Sequence, residues 1–226
     1  ESGAMPYAQA HYPFENKERF EATFPADFIA EAIDQTRGWF YTLVVLAAAL
    51  FKDTSFRNVV VTGLVLAEDG KKMSKRLRNY PEVSEIFNSY GADALRVYLM
   101  NSALVKAEEL NFSGAGVKEV LRAFHLPLWN SYSFFVTYAN VDGWDPERDT
   151  VPLESVTNPL DRWILSATER LVAEVNEQMD RYDLQRSITP MLTFLEELTN
   201  WYIRRSRRRF WKSDFDAGKK GAYTTL

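Results

Sequence analysis

The 226-residue chain contains no cysteine and only two histidines, and each shortage removes a class of function. Without thiols it forms neither disulfides nor thiolate metal sites, a composition that fits a reducing compartment. His11 and His125 lie far apart and show no metal-ligand spacing, so both are read as packing or surface residues. No apolar run approaches the roughly 20 residues that cross a bilayer. The most apolar stretch, "WFYTLVVLAAALF" at Trp39 to Phe51, is read as a buried helix. Internal repeats, low-complexity tracts and a signal-peptide pattern are missing too. Both ends, "ESGAMPYAQ" and "KKGAYTTL", read as those of a fragment. The net charge of -4 means that nucleic-acid binding must depend on a local basic patch rather than on the field of the whole molecule.

What is present is a hydrophobic content of 46%, enough for a sizeable core in one large or two ordinary domains. From Phe24 to Met100, β-prone runs ("ADFIAEAID", "RNVVVTGLVL") alternate with helical ones, which predicts an α/β layer with parallel strands. After about residue 105 the β-prone runs stop, and the chain reads as α/β followed by all-α, divided as 1–105 and 106–226. Asn158, Pro159 and Asp161 form a helix start: a capping side chain, a proline at the first position and an acid at the positive end of the dipole. Leu160, Trp163, Ile164, Ala167, Leu171 and Val175 then share one face. A second long helix is predicted from Leu184, with Ile188, Leu192, Leu195 and Tyr202 inward and Pro190 as a kink or late start. An earlier helix, Val117 to Tyr138, is expected to be interrupted at Pro127.

The charge is unevenly placed. A strand predicted to end near Leu66 runs into "AEDGKKMSKRLRNYPEV", where Lys71, Lys72, Lys75, Arg76 and Arg78 crowd a glycine-led loop. Loops at the carboxyl edge of a parallel sheet are where ligands bind in open α/β folds. Lys72 and Lys75, each an ammonium on a flexible stem, suit a triphosphate whose charge shifts as a phosphoryl bond breaks. Read as charge alone, the same loop could be merely solvated.

The order of residues decides between these readings. "KMSK" at Lys72 to Lys75, behind a strand and a glycine, resembles the second signature of class I aminoacyl-tRNA synthetases. "PADFIAEAIDQTRGWFYTL" at Pro25 to Leu43 resembles the adenylate-holding segment of isoleucyl-tRNA synthetases. "MPYAQAHYPFEN", "YGADALRVYLMNS" and "NPLDRWILS" follow the same family in order and spacing. The resemblance runs from Glu1 to about Lys212. The continuation "KMSKRLRNYPEV", in place of the serine-leucine-glycine common in many bacterial enzymes, resembles the eukaryotic-type branch.

The resemblance implies the C-terminal half of a Rossmann-type catalytic domain followed by the start of a helical anticodon-binding domain. It implies an isoleucine-tRNA ligase of the cytoplasm, acting on isoleucine, ATP with Mg2+ and tRNA(Ile), with no membrane partner and no metal site in this fragment. Membership of a multi-synthetase assembly is not legible in the residues. By the same resemblance Lys72 and Lys75 stabilise the pyrophosphate leaving group, while Met73 and Ser74 shape the loop over ATP. Asp34 and Gln35 contact the adenylate, Glu31 lies beside it, and Trp39 walls the isoleucine pocket together with Gln35. Read without the motif, Asp34 is a helix N-cap and Trp39 an ordinary core residue.

Ala32 departs from the family's glycine, and its methyl group is expected to crowd the adenosine or to shift the local path. The family's first signature, which grips ATP, is absent, and its editing domain falls upstream of Glu1, so the fragment alone is expected neither to form the whole active site nor to proofread.

A second basic cluster, "WYIRRSRRRFW", holds Arg204, Arg205, Arg207, Arg208 and Arg209. They cannot all share one helical face, so some must reach solvent and others pack or pair. With interleaved Trp201, Tyr202, Phe210 and Trp211 they suit phosphate contact and base stacking. The resemblance makes Arg204, Arg205, Arg207 and Arg208 the tRNA-binding candidates. The alternative is a solvated face neutralised by Glu196 and Glu197. A valyl homologue, or a non-catalytic tRNA-binding module, remains open at this point.

Overall fold

The computed structural model describes residues 1–211 and 214–226; Lys212, the far edge of the resemblance, lies outside the described residues. The chain forms two compact units, Glu1–Tyr80 with Ser102–Phe112, and Pro81–Asn101 with Ser113–Leu226.

In the first unit the short helices α1 (Met5–Ala8) and α2 (Lys17–Thr23) precede a strand–helix–strand crossover. Strand β1 (Ala26–Ala32), helix α3 (Trp39–Phe51) and strand β2 (Phe56–Thr62) make it up. The strands pair in parallel, from Ala26 opposite Phe56 to Ala32 opposite Thr62, as the alternation of β-prone and helical runs predicts. Helix α3 buries Phe40, Leu43 and Ala47 but exposes Tyr41, Val44, Val45 and Leu50. The expectation of a buried helix is therefore corrected: within this chain α3 is covered along one stripe only.

The strand expected to reach Leu66 is also corrected. It stops at Thr62, and a separate strand β3 (Val65–Leu66) pairs in parallel with β4 (Leu110–Asn111). Gly63 makes the switch possible. Its N–H donates to Leu104 O at 2.7 Å, and a Cβ there would lie 1.7 Å from Glu108 O. Only a residue without a side chain lets these two backbones approach so closely.

The second unit is helical: α4 (Val83–Tyr90), α5 (Ala92–Met100), α6 (Gly114–Val120), α7 (Leu126–Asp142), α8 (Pro146–Asp149), α9 (Pro159–Asp180), α10 (Leu184–Glu196), α11 (Arg204–Trp211) and α12 (Ala217–Thr225). Asp93 and Arg96 pair at 3.2 Å across the first turns of α5. Asn158 caps α9, its carboxamide oxygen accepting the Leu160 N–H at 2.9 Å with Pro159 next, as the helix-start pattern predicts. Asp183 caps α10, accepting the Arg186 N–H at 3.2 Å. Pro190 sits inside α10, so it is not a late start.

Pro127 does not interrupt its helix either. A π-helical segment, Leu121–His125, carries α6 into α7, so the chain stays helical past Pro127, and the N–H that proline lacks falls where the pattern returns from π to α. A second π segment, Glu197–Ile203, joins α10 to α11. Tyr202 packs with Ile164 and Ala167, while Phe210, Ala222, Tyr223 and Ala139 form a second buried cluster.

Candidate functional site

The lysine loop begins as a tight reversal after β3. Lys72 bridges back to Leu66 in antiparallel fashion, and Ala67 N–H donates to Lys71 O at 2.8 Å. Gly70 turns the corner with a φ of +76°, where glycine carries no Cβ penalty. Asp69 takes Lys71 out of the free positive charge: its carboxylate accepts from Lys71 Nζ at 2.9 Å, a hydrogen bond that lowers the Asp69 pKa and raises that of Lys71. Lys72 and Lys75 are exposed and have no ion pair among the described residues, whereas Met73 and Ser74 are half-buried beneath them. The two lysines proposed for chemistry thus keep their charge uncommitted, as do the exposed Arg76 and Arg78 of the same loop.

Sequence reasoning assigned no role to Asn79, whose side chain closes the loop. Its Oδ1 accepts the Ser74 N–H at 2.9 Å and its Nδ2 donates to Lys72 O at 3.2 Å. Asparagine's readiness to bond nearby backbone was the available signal. Before it, Arg78 takes a φ of +47° and donates its N–H to Ser74 O at 2.9 Å. Arg78 stands where the commoner serine-leucine-glycine continuation has its glycine, and the left-handed backbone explains why glycine suits that place.

The adenylate-type segment leaves the other strand of the first crossover. Glu31 lies within β1, opposite Val61, and it is exposed. Asp34 and Gln35 occupy the 3-10 turn Ile33–Arg37 that follows. Asp34 makes no N-cap bond; its carboxylate accepts from Gln35 Nε2 at 3.4 Å. Gln35 Oε1 accepts the Trp39 N–H at 2.9 Å, so the glutamine supplies the start of α3 with the hydrogen bond expected of a cap. Trp39 is half-buried, and its indole N–H donates to Ser2 O at 3.1 Å, which fixes the ring against the N-terminal turn. Asp34, Gln35 and Trp39 are thereby brought into one chain of hydrogen bonds. Ala32 is extended, with φ of -76°, so glycine is not needed there for backbone reasons.

The arginine helix divides as the crowding argument requires. Arg209 turns inward: Nη1 and Nη2 donate to the two oxygens of Asp161 at 2.6 and 2.7 Å, and Nη2 also reaches Gly218 O at 2.8 Å. Burial by itself lowers the Arg209 pKa, but the hydrogen bonds and charge of Asp161 more than offset it. Tyr202 OH donates to the same carboxylate at 2.9 Å, and burial, followed by the Asp161 charge, pushes its phenol pKa up. Arg204, Arg205, Arg207 and Arg208 are exposed. Arg205 lies 4.6 Å from the Trp201 ring centroid and Arg207 5.6 Å from that of Trp211, so two aromatic faces already carry cations. Glu197, the expected neutraliser, faces Arg170 at 3.6 Å instead.

No three His, Cys, Asp or Glu residues cluster as a metal site among the described residues.

Residues 1–111 match the family of class I tRNA synthetases (I, L, M and V), and residues 161–226 match the anticodon-binding domain of tRNA ligase. The isoleucine–tRNA ligase of Treponema denticola is 59% identical over the whole chain, and that of Chlamydia trachomatis serovar D is 57% identical over the whole chain. The chain spans 22% of the length of each. Among solved structures, the methionyl-tRNA synthetase of Mycobacterium tuberculosis, in complex with methionyl-adenylate, has a TM-score of 0.74 at 19% identity, covering 96% of this chain and 42% of that one. The LeuRS of Agrobacterium radiobacter K84, in a ternary complex with tRNA and LeuAMS, has a TM-score of 0.72 at 15% identity, covering 97% of this chain and 28% of that one. With its fold, its lysine loop and these relatives in agreement, the chain belongs to the class I aminoacyl-tRNA synthetases.

Proposed function

We propose that the chain is part of a cytoplasmic isoleucine-tRNA ligase, with the lysine-loop half of the activation site in residues 1–105 and the start of the anticodon-binding domain in residues 106–226. The observation that carries this reading is 59% identity over the whole chain to an isoleucine–tRNA ligase, in a chain that keeps the Lys72–Lys75 signature.

In the reaction, the isoleucine carboxylate attacks the α-phosphorus of ATP, the bond to the bridging oxygen breaks, and pyrophosphate leaves with the electron pair. Lys72 and Lys75 hold two positive charges beside the leaving group, and their freedom from ion pairs supports that role. Glu31 and Asp34 are placed to accept hydrogen bonds from ribose hydroxyls or the substrate ammonium. Gln35 is oriented by Trp39 and Asp34 and has a second amide proton to offer, and the Trp39 ring walls the amino-acid pocket. Catalysis of this kind is positioning and charge stabilisation. The exposed Arg204, Arg205, Arg207 and Arg208 offer a basic, aromatic-flanked face to tRNA(Ile) on a chain of net charge -4.

The test is amino-acid-dependent ATP–pyrophosphate exchange by the full-length parent enzyme. Exchange should be supported by isoleucine well above valine; equal or greater exchange with valine contradicts the isoleucine assignment, and exchange with neither contradicts the ligase reading.

A further inference from the structure

We propose that Asn79 is a positioning residue for activation, bracing the backbone on both sides of Met73 so that Lys72 and Lys75 present their ammonium groups from one fixed turn. The inference rests on the ligase reading of the lysine loop and adds to it a residue that does not itself meet the substrate.

Four observations converge on this loop. First, the Asn79 carboxamide uses both ends, accepting from Ser74 N–H at 2.9 Å and donating to Lys72 O at 3.2 Å. These are the two peptide groups flanking Met73, so one side chain sets the direction in which Lys72 leaves the chain and the start of the turn that carries Lys75. Second, the near side of the loop is anchored by the Leu66–Lys72 bridge and by Ala67 N–H donating to Lys71 O, so Lys72 is held from β3 and from Asn79 together.

Third, Ser74 O accepts from both Leu77 and Arg78, at 3.1 and 2.9 Å, closing the turn that returns Asn79 to the loop. Fourth, that return needs the left-handed backbone of Arg78, at φ +47°. Such a conformation costs a side-chain-bearing residue stability and persists where its surroundings over-determine it.

Two long lysine side chains on an unbraced loop would spread their charge over many positions. Fixing the backbone removes part of that spread before ATP arrives, and a misplacement of about 1 Å can cost about 100-fold in rate. The carboxamide suits the task because it is donor and acceptor at once. Aspartate keeps the acceptor for Ser74 N–H but turns the donor toward Lys72 O into a second acceptor.

The experiment uses the full-length parent enzyme carrying Asn79→Ala, Asn79→Asp, Lys72→Ala and the Asn79→Ala/Lys72→Ala pair, with isoleucine-dependent ATP–pyrophosphate exchange and thermal melting as readouts. Asn79→Ala is expected to lower kcat by about 10- to 100-fold, leave the KM for isoleucine unchanged and leave the melting temperature within about 2 °C. Asn79→Asp should fall between wild type and alanine. In the Lys72→Ala background the same alanine should cost less than about 3-fold, because a brace has little to add once the group it aims is gone.

Wild-type exchange by Asn79→Ala overturns the proposal. So does a loss that is undiminished in the Lys72→Ala background, or one accompanied by a fall in melting temperature and a raised isoleucine KM in both Asn79 variants, since either marks a merely structural residue. Absence of isoleucine-dependent exchange in the wild type overturns the ligase reading itself, a different failure from that of Asn79.

Discussion

Replacing Arg209 with alanine should destabilise the helical unit by about 3 kcal/mol, and more than replacing its partner Asp161 with asparagine. Removing one member of a buried ion pair costs about 3–5 kcal/mol, chiefly because the other charge stays buried without a partner. Asp161 is 1% exposed and cannot rehydrate, but it keeps the Tyr202 hydroxyl and lies in the first turn of α9. The positive end of that helix returns about 0.3–1 kcal/mol, which puts the cost at the lower end of the range. Asp161→Asn is milder. The guanidinium it strands is 22% exposed, reaches water at its edge and keeps Gly218 O, so about 1–2 kcal/mol is expected. Urea denaturation of the chain, followed by tryptophan fluorescence with the m-value checked for constancy, measures both. An asparagine variant less stable than the alanine variant, or an Arg209→Ala loss below about 1 kcal/mol, refutes the reasoning.

Further outcomes are expected. Burial first, and Asp161 or Asp142 second, raise the pKa of Tyr202 and Tyr223, so their contribution is intact below the unfolded tyrosine value of about 10 and is lost as pH climbs beyond it. Asp149 has the opposite sign: hydrogen bonds from Arg148 and then Lys220 hold its carboxyl well below the usual range against the effect of burial, so its contribution is lost as pH falls below about 4. A melting temperature that rises on either flank would contradict these assignments. Gly63→Ala should cost about 3 kcal/mol or more, because its Cβ meets the Glu108 carbonyl rather than a movable side chain; a variant of wild-type stability would contradict the close approach. Arg204→Ala and Arg208→Ala in the full-length parent should each reduce the salt slope of tRNA binding by roughly 0.7–0.9, while unchanged slopes would remove both from the phosphate contacts.

Local chemistry made much of this fold legible. Asn158 with Pro159 announces α9 because capping is decided within three residues, and the lysine loop announces itself by residue order after a β-branched run. The hidden parts depend on neighbours distant in sequence. Gly63 looks like an interruption of a strand until Glu108 arrives beside it. Arg209 is indistinguishable from the adjacent arginines until α9 brings Asp161, 48 positions away, to 2.6 Å. Helix α3 has the composition of a buried helix, yet composition does not say how many faces are covered, and here Tyr41 and Leu50 are exposed. At the candidate site, Lys72, Lys75, Asp34 and Gln35 were singled out by the motif alone, whereas the side-chain bridge of Asn79 depended on the left-handed turn at Arg78.

The most direct test of the central claim is isoleucine-dependent ATP–pyrophosphate exchange by the full-length parent, comparing wild type with Lys72→Ala and Lys75→Ala. Each lysine variant should lose at least about 100-fold in kcat, the scale of losing one stabilising group at a developing charge. Exchange that is indifferent to both lysines would make the loop a solvated surface and contradict the account.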